Sequence, residues 1–356
     1  MKKLNCVLAA LSLLCFGTAC NPDGNGMKPE ESTTPGGQTE PPVVLVTEIT
    51  LSETSLPLLV GEGATLTATV VPDNAGNKAV SWSSGDGSIA KVDGNGKISA
   101  VGRGKVDITV SARDGSGISA TCTVIVSNPC PEGAIDMGTT TAEGIKFYWA
   151  TVNLAATGLV GSQEEIGDYF AWGETQPYYT SRNPLVWREG KSAGYTWLSY
   201  QWFSGYHSDR NAIVSKYCLK ERVAYWGGSG EPDEKTVLDP EDDVAHVVLG
   251  GRWRMPTNEE FFNLRSVCQR EWTSVNGRIG LKLTASNGNI LFFPGTGDWT
   301  GINYSNLYNY QARYWTSSLT KSGCSYAHFM AADVNGMAPD GMAARCIGFA
   351  VRPVSD

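Results

Sequence analysis

Between residues 46 and 126, apolar and polar positions alternate in short runs. Residues 65–70, 105–110 and 122–126 each place every second side chain on one face, the period of a half-buried strand. Turn-forming clusters separate them: Gly61-Glu62-Gly63, Pro72-Asp73-Asn74, Gly85-Asp86-Gly87 and Asp93-Gly94-Asn95-Gly96. Short strands at this spacing predict an antiparallel sandwich of about eighty residues. Trp82 is the one large aromatic available to sit between its sheets. Cys122 shares the parity of Val124 and Val126 and reads as a buried thiol. Gly94-Asn95-Gly96-Lys97 lacks the rest of a phosphate-binding loop and reads as a hairpin turn.

Beyond residue 130 the pattern is less regular. Thr257 is placed as a helix N-cap with Glu260 at the capping-box position, and Phe261, Leu264 and Cys268 then share one helical face. Residues 279–283, 289–294, 314–318, 326–331 and 348–354 read as strands divided by Gly and Asn turns. One or two helices among many short strands and long loops predict an α+β arrangement.

The first residues carry a different signal. Lys2 and Lys3 precede an apolar stretch over residues 4–16, closed by Gly17-Thr18-Ala19-Cys20. This is a secretory signal segment over residues 1–19, too short to span a bilayer comfortably. The cysteine after small residues resembles a bacterial lipobox, although Gly17 stands where leucine is usual. The resemblance implies lipidation of Cys20; the alternative is plain cleavage after Ala19, releasing a soluble protein. Residues 20–44, rich in Pro, Gly, Thr and Glu, read as a flexible tether.

Composition narrows the function classes. A net charge of −8 with only three histidines argues against a nucleic-acid binder, which needs a basic face. Of 11 tryptophans, 14 tyrosines and 10 phenylalanines, only Phe16 and Trp82 precede residue 147. That discontinuity marks a second domain over residues 130–356, large enough for its own core.

Two resemblances follow from particular strings. Ile49 and Leu51; Leu66, Ala68, Val70 and Pro72; Val80-x-Trp82-Ser83-Ser84; Ile89-Ala90-x-Val92-Asp93 and Gly96-x-Ile98-x-Ala100; and Gly104 with Ile108-Thr109-Val110 resemble the group 2 bacterial immunoglobulin-like domain. Such domains are stalks or adhesion modules of exported proteins, and the resemblance covers residues 45–127. Further on, Trp149 with Asn153-Leu154, Gly167 through Trp172-Gly173-Glu174, and Leu238 through Asp243 stand beside Gly251 through Thr257. With Phe292 through Gly295, Tyr314-Trp315 with Ser317-Ser318, and Gly348 through Pro353, they resemble the major-paralogous (FISUMP) domain of exported bacterial lipoproteins. That family is regarded as a distant relative of the C-type-lectin and formylglycine-generating-enzyme folds. The resemblance implies a C-type-lectin-like head and places Trp149, Trp172, Trp253 and Trp315 in its core. The expected fold class is therefore multidomain: an all-β immunoglobulin-like sandwich followed by an α+β C-type-lectin-like domain.

Three groups of residues are candidate sites. Trp187, Trp197, Tyr200, Trp202, Tyr206 and Trp226 lie in loop-like sequence, where flat rings stack on sugar faces; the alternative is filler packed beneath loops. Asp239, Glu241, Asp242 and Asp243 offer hard oxygen ligands for calcium; the alternative is acids favourably placed at a helix start. Asp242 and His246 at i, i+4 form a further ligand pair, against an ordinary hydrogen-bonded histidine. Besides Cys20, six cysteines remain after export, an even number that permits disulfides with fifteen connectivities. We expect Cys324–Cys346 and Cys218–Cys268.

No zincin, serine-hydrolase elbow, Cys-x-x-Cys or Walker string is present, and His207, His246 and His328 have no evident nucleophile partner. The expectation is a non-catalytic, surface-exposed outer-membrane lipoprotein of the cell envelope that binds glycans or surface proteins without a cofactor other than calcium. A sulfatase-modifying enzyme and a structural or pilus-associated subunit are the alternatives.

Overall fold

The alternation between residues 46 and 126 folds into nine strands: β1 (Glu48–Leu51), β2 (Ser55–Leu59), β3 (Gly63–Thr65), β4 (Ala68–Val71), β5 (Val80–Ser84), β6 (Ala90–Val92), β7 (Lys97–Ala100), β8 (Gly104–Ala112) and β9 (Ser119–Ser127). A four-stranded sheet, β2-β9-β8-β5, packs against the β3-β7-β6 sheet, with β1 and β4 forming a separate pair. All pairings are antiparallel except β2 with β9, which run parallel. The expected periodicity explains the core. Val106, Ile108 and Val110 of β8 and Cys122, Val124 and Val126 of β9 point inward and are buried. Trp82 is half-buried and bridges both halves of the apolar core. A Cβ on Gly96 (φ +78°) would lie 2.4 Å from the Leu66 carbonyl oxygen and 2.9 Å from the Trp82 ring. Only glycine fits this turn.

This computed structural model describes residues 42–356, of which Val44–Asp356 form one compact unit. The signal segment, the lipidation candidate Cys20 and the tether as far as residue 41 lie outside the described residues. Among the described residues no helix is long and apolar enough to cross a membrane.

The head is mostly strand with few helices, more β than an α+β description conveys. Its two α-helices are α1 (Val244–Leu249) and α2 (Asn258–Val267). One small sheet orders Ala134–Ile135, Tyr148–Ala150, Val354–Ser355 and Trp253–Arg254, so the two ends of the head meet. Two meanders follow: Cys268–Val275, Arg278–Ala285 and Ile290–Pro294, then Ala312–Leu319, Tyr326–Asp333 and Gly336–Ala344. The last strand was not expected, since Gly336, Pro339 and Gly341 obscure its alternation. Conversely, most of residues 348–354 run without regular strand, held by isolated bridges at Gly348, Phe349 and Ala350.

Helix α2 starts as its sequence requires. The Thr257 side chain accepts from the Glu260 N–H, and the Glu260 carboxylate accepts from the Thr257 N–H at 2.8 Å. Phe261 and Leu264 are buried against Trp149 and Phe293, and Cys268 is buried at the helix end. Trp149, Trp172 and Trp315 are fully buried, whereas Trp253 is half-buried on an edge strand.

The disulfide differs from both expected pairs. Cys218 is bonded to Cys324, and Cys268 and Cys346 are free, buried thiols. Cys324 and Cys346 do extend paired strands, but their side chains join different clusters. Cys324 packs with Val214 and Cys218, Cys346 with Tyr169 and Tyr195. The Ser325 hydroxyl, donating to the Ala212 carbonyl at 2.8 Å, holds the two bonded loops together.

Thr257→Ala removes the cap of α2 and is expected to cost about 1 kcal/mol, lowering Tm by roughly 2–4 °C in thermal unfolding. Non-reducing peptide mapping should recover a Cys218–Cys324 peptide. Recovery of a Cys324–Cys346 peptide instead would contradict this chain path.

Candidate functional site

The loop aromatics are largely engaged with the protein's own residues. Tyr200 is buried, and Trp187, Trp197, Trp202 and Trp226 are half-buried; only Tyr206, 55% accessible, is open to solvent. The faces of Tyr200 and Trp202, with Trp172 and Tyr217, surround the buried guanidinium of Arg345 at 4.8–5.7 Å. Arg345 also donates to the Tyr200 hydroxyl (2.8 Å) and to the Lys216 and Cys324 carbonyls (2.9 and 2.8 Å). Trp197 packs edge-on against Tyr200, and Trp226 packs by the disulfide and donates to the Gly230 carbonyl. The six do not form one exposed platform; two of their rings bind an internal arginine.

The acidic run divides in two. The carboxylates of Asp239, Glu241 and Asp242 lie within 4.8 Å of one another. The Lys216 ammonium stands among them, 3.0 Å from Asp239, 3.7 Å from Glu241 and hydrogen-bonded to Asp242. Lys235 reaches Asp239 at 2.5 Å. Burial alone would raise the Asp239 carboxyl, but the two lysines hold it below the usual carboxylate range. Asp243 turns away. It is the buried N-cap of α1 and accepts from the N–H groups of Ala245, His246 and Met255. Burial pushes its carboxyl up, against those three donors. The His246 ring contacts the Trp253 carbonyl, so Asp242 and His246 do not pair. Four ligands to one cation are therefore not assembled, and lysines already supply positive charge to three of the acids.

An open aromatic cleft lies elsewhere, lined by Ile166, Tyr169, Arg182, Arg278, Trp299 and Tyr304, with a volume of about 450 Å³. That size suits a small-ligand site. A short hairpin supplies its floor: Trp299 lies directly across from Tyr304 in the Trp299–Thr300/Asn303–Tyr304 pair. The hairpin is fastened on two sides. Trp299 and Gly348 exchange backbone hydrogen bonds of 2.9 Å, and Tyr195 and Gly301 exchange bonds of 2.8 and 3.0 Å. A Cβ on Gly348 would lie 2.7 Å from the Tyr195 ring, so glycine permits this close approach. Behind the floor, Trp299 contacts Tyr179, Trp187 and Tyr195 with ring centroids 5.5–6.2 Å apart. The Trp299 indole N–H is buried without an acceptor among the described residues. The Tyr169 hydroxyl donates to the Thr296 carbonyl, and burial raises its pKa far above the ordinary phenol value.

The arginines come from distant hairpins. Arg182 ends the strand Tyr179–Arg182, and Arg278 follows the two-residue Asn276-Gly277 turn. A second lobe of about 550 Å³ shares Ile166, Arg182 and Arg278 and adds Glu164, Glu165 and Asp168. A larger depression of about 610 Å³ beside His328 has no tryptophan or tyrosine in its lining. Sequence reasoning passed over Trp299 and Tyr304 because they follow a strand-like run and belong to none of the quoted strings. The separation of five positions across Gly301 is the only local signal for their pairing.

Residues 45–124 match the family of bacterial Ig-like domains (group 2). An uncharacterized protein of Clostridium acetobutylicum is 54% identical over 84 residues, covering 24% of this chain and 9% of that protein. A second from the same organism is 33% identical over 129 residues, covering 34% and 30% respectively. The chain thus spans less than a third of the length of these curated relatives. Intimin of EHEC O157:H7, solved as a mutant, aligns with a TM-score of 0.19 at 24% identity, over 23% of this chain and 47% of that one. The first module is a group 2 bacterial Ig-like domain, and the matched family ends before the head begins.

Lys216→Met leaves three neighbouring carboxylates without their shared cation and is expected to cost about 1–3 kcal/mol in urea unfolding at pH 7. Asp239 has a depressed native pKa, so its contribution is present above its unfolded value, near 3.9, and is lost as pH falls through the native value. The difference between variant and parent should therefore shrink as unfolding is repeated below pH 4.

Proposed function

We propose that this chain is an exported, non-catalytic binding protein held at the bacterial surface. In this reading Cys20 carries the lipid anchor in the outer membrane, residues 20–44 are the tether and the Ig-like module is a spacer. The head, residues 130–356, is a FISUMP domain of C-type-lectin-like ancestry that binds a glycan or a surface protein. The observation that carries the reading is the cleft. Its aromatic floor, the 36%-accessible Tyr304 backed by the buried Trp299, has arginine donors beside it, the combination by which sugar rings and their polar groups are held. The FISUMP assignment draws support from the burial of Trp149, Trp172 and Trp315, three of the four tryptophans its strings mark as core; Trp253, half-buried, does not add to it. The sulfatase-modifying alternative draws less support. Cys324 is engaged in the disulfide, and burial pushes the Cys346 thiol up to about 12, a poor state for a nucleophile.

A glycan array probed with residues 21–356 tests the reading. Binding to a defined glycan class is expected, unchanged by a calcium chelator. Tyr304→Ala is expected to weaken it about 2- to 10-fold, the range for one aromatic contact. A blank array would overturn the sugar-binding form of the proposal.

A further inference from the structure

Resting on the reading of the cleft as a saccharide site, we infer that its ligand is an acidic saccharide. A carboxylate or sulfate group sits at Arg182 and Arg278 while the sugar ring lies against Tyr304, with the buried Trp299 behind it. The cleft holds unspent hydrogen-bond donors. The fully buried arginines of the head are turned to internal partners. Arg345 donates through Nε and Nη1 to a tyrosine and carbonyls, its Nη2 having no acceptor among the described residues and only ring faces about the group. Arg352 donates to carbonyls and Asn153. Arg254 and Arg313 are likewise paired, with Glu260 and Asp298. Arg278, half-buried on the cleft wall, pairs with Val275 through the backbone ladder, but its side chain makes no hydrogen bond or ion pair among the described residues.

Arg182 has only a loose partner, Asp168 at 3.9 Å, beyond hydrogen-bond reach. Asp168 is otherwise occupied, accepting from the Tyr179 hydroxyl at 3.0 Å and the Ala156 N–H at 2.9 Å. Arg182 lies 5.8 and 5.7 Å from the Tyr169 and Tyr179 ring centroids, which hold it at the cleft without using its N–H donors. A planar guanidinium with free donors suits a carboxylate or sulfate far better than a neutral hydroxyl.

Charge is unevenly distributed along the cleft. In the aromatic lobe the two arginines are the only charged residues in the lining. The neighbouring lobe contains Glu164, Glu165 and Asp168, so the anionic group belongs in the aromatic lobe and hydroxyls in the other. Glu164 already accepts from Asn276 at 2.5 Å. Because the whole chain carries −8, this local positive charge is not part of a general basic surface.

The test is titration calorimetry with residues 21–356. The probes are tetrasaccharides of galacturonate, of hyaluronan and of a sulfated galactan, each beside its carboxyl-reduced or desulfated counterpart. At least one acidic probe should bind, more weakly as salt rises, with its neutral counterpart at least about tenfold weaker. Carboxylate and sulfate probes tell the two anions apart. Arg182→Gln and Arg278→Gln should each lose about 10- to 100-fold on the acidic probe, with Tm held at the parent value to show an intact fold. Equal binding of a neutral counterpart, or parent-like affinity in both variants, would overturn the inference. So would no binding of any acidic probe. If neutral glycans still bind on the array, the saccharide reading survives that failure; if none bind, both fall together.

Discussion

Two guanidinium groups are buried in the head with no carboxylate paired to them among the described residues, and much of the architecture follows from how they are accommodated. A buried charge is costly unless every donor finds an acceptor or a ring face. Arg352 answers this with the carbonyls of Ala150, Thr151 and Phe292 and the side chain of Asn153. Burial pulls its pKa down to about 10, still leaving it charged at neutral pH. Those contacts bind the chain end to the first strands and to the central meander. Arg345 needs the carbonyls of Lys216 and Cys324 and four aromatic rings, so the long loops of the head must close around it.

That requirement reshapes the surface chemistry. Rings that could have stacked on a ligand turn inward to the arginine, and the disulfide closes at the same place. Lys216 takes part twice: its carbonyl receives Arg345, and its ammonium sits among Asp239, Glu241 and Asp242. The cleft shows the opposite situation: the side chains of Arg182 and Arg278 have no close acceptor among the described residues and stand beside the accessible Tyr304, with Trp299 and Tyr169 buried behind it. The buried site and the open cleft thus share one arrangement, guanidinium against aromatic face.

The two modules also share a seam. Arg103 of the sandwich reaches Asp356 at 3.3 Å, Asn128 donates to the Asp356 carbonyl, and the Tyr148 hydroxyl donates to the Asn128 carbonyl at 2.6 Å. Burial would raise the Asp356 carboxyl, yet Arg254, Arg103 and Arg252 hold it below its ordinary value. These contacts couple the Ig-like module directly to the end of the second module.

The Ig-like module was legible because local rules govern it: period-two alternation chose the inward faces of β8 and β9, and Gly96 marked a turn no other residue could make. The capping box of α2 was equally local, since Thr257 and Glu260 lie three residues apart. The disulfide partner of Cys324, the lysine within the acidic run and the cleft were not legible. Each joins residues far apart along the chain, such as Lys216 with Asp239, or Arg182 with Arg278 and Trp299, and neither spacing nor periodicity carries that information. The sequence by itself determined the sandwich, the helix start and the aromatic wealth of the head. Only tertiary structure decided which aromatics face inward, because that depends on where the two buried arginines come to rest.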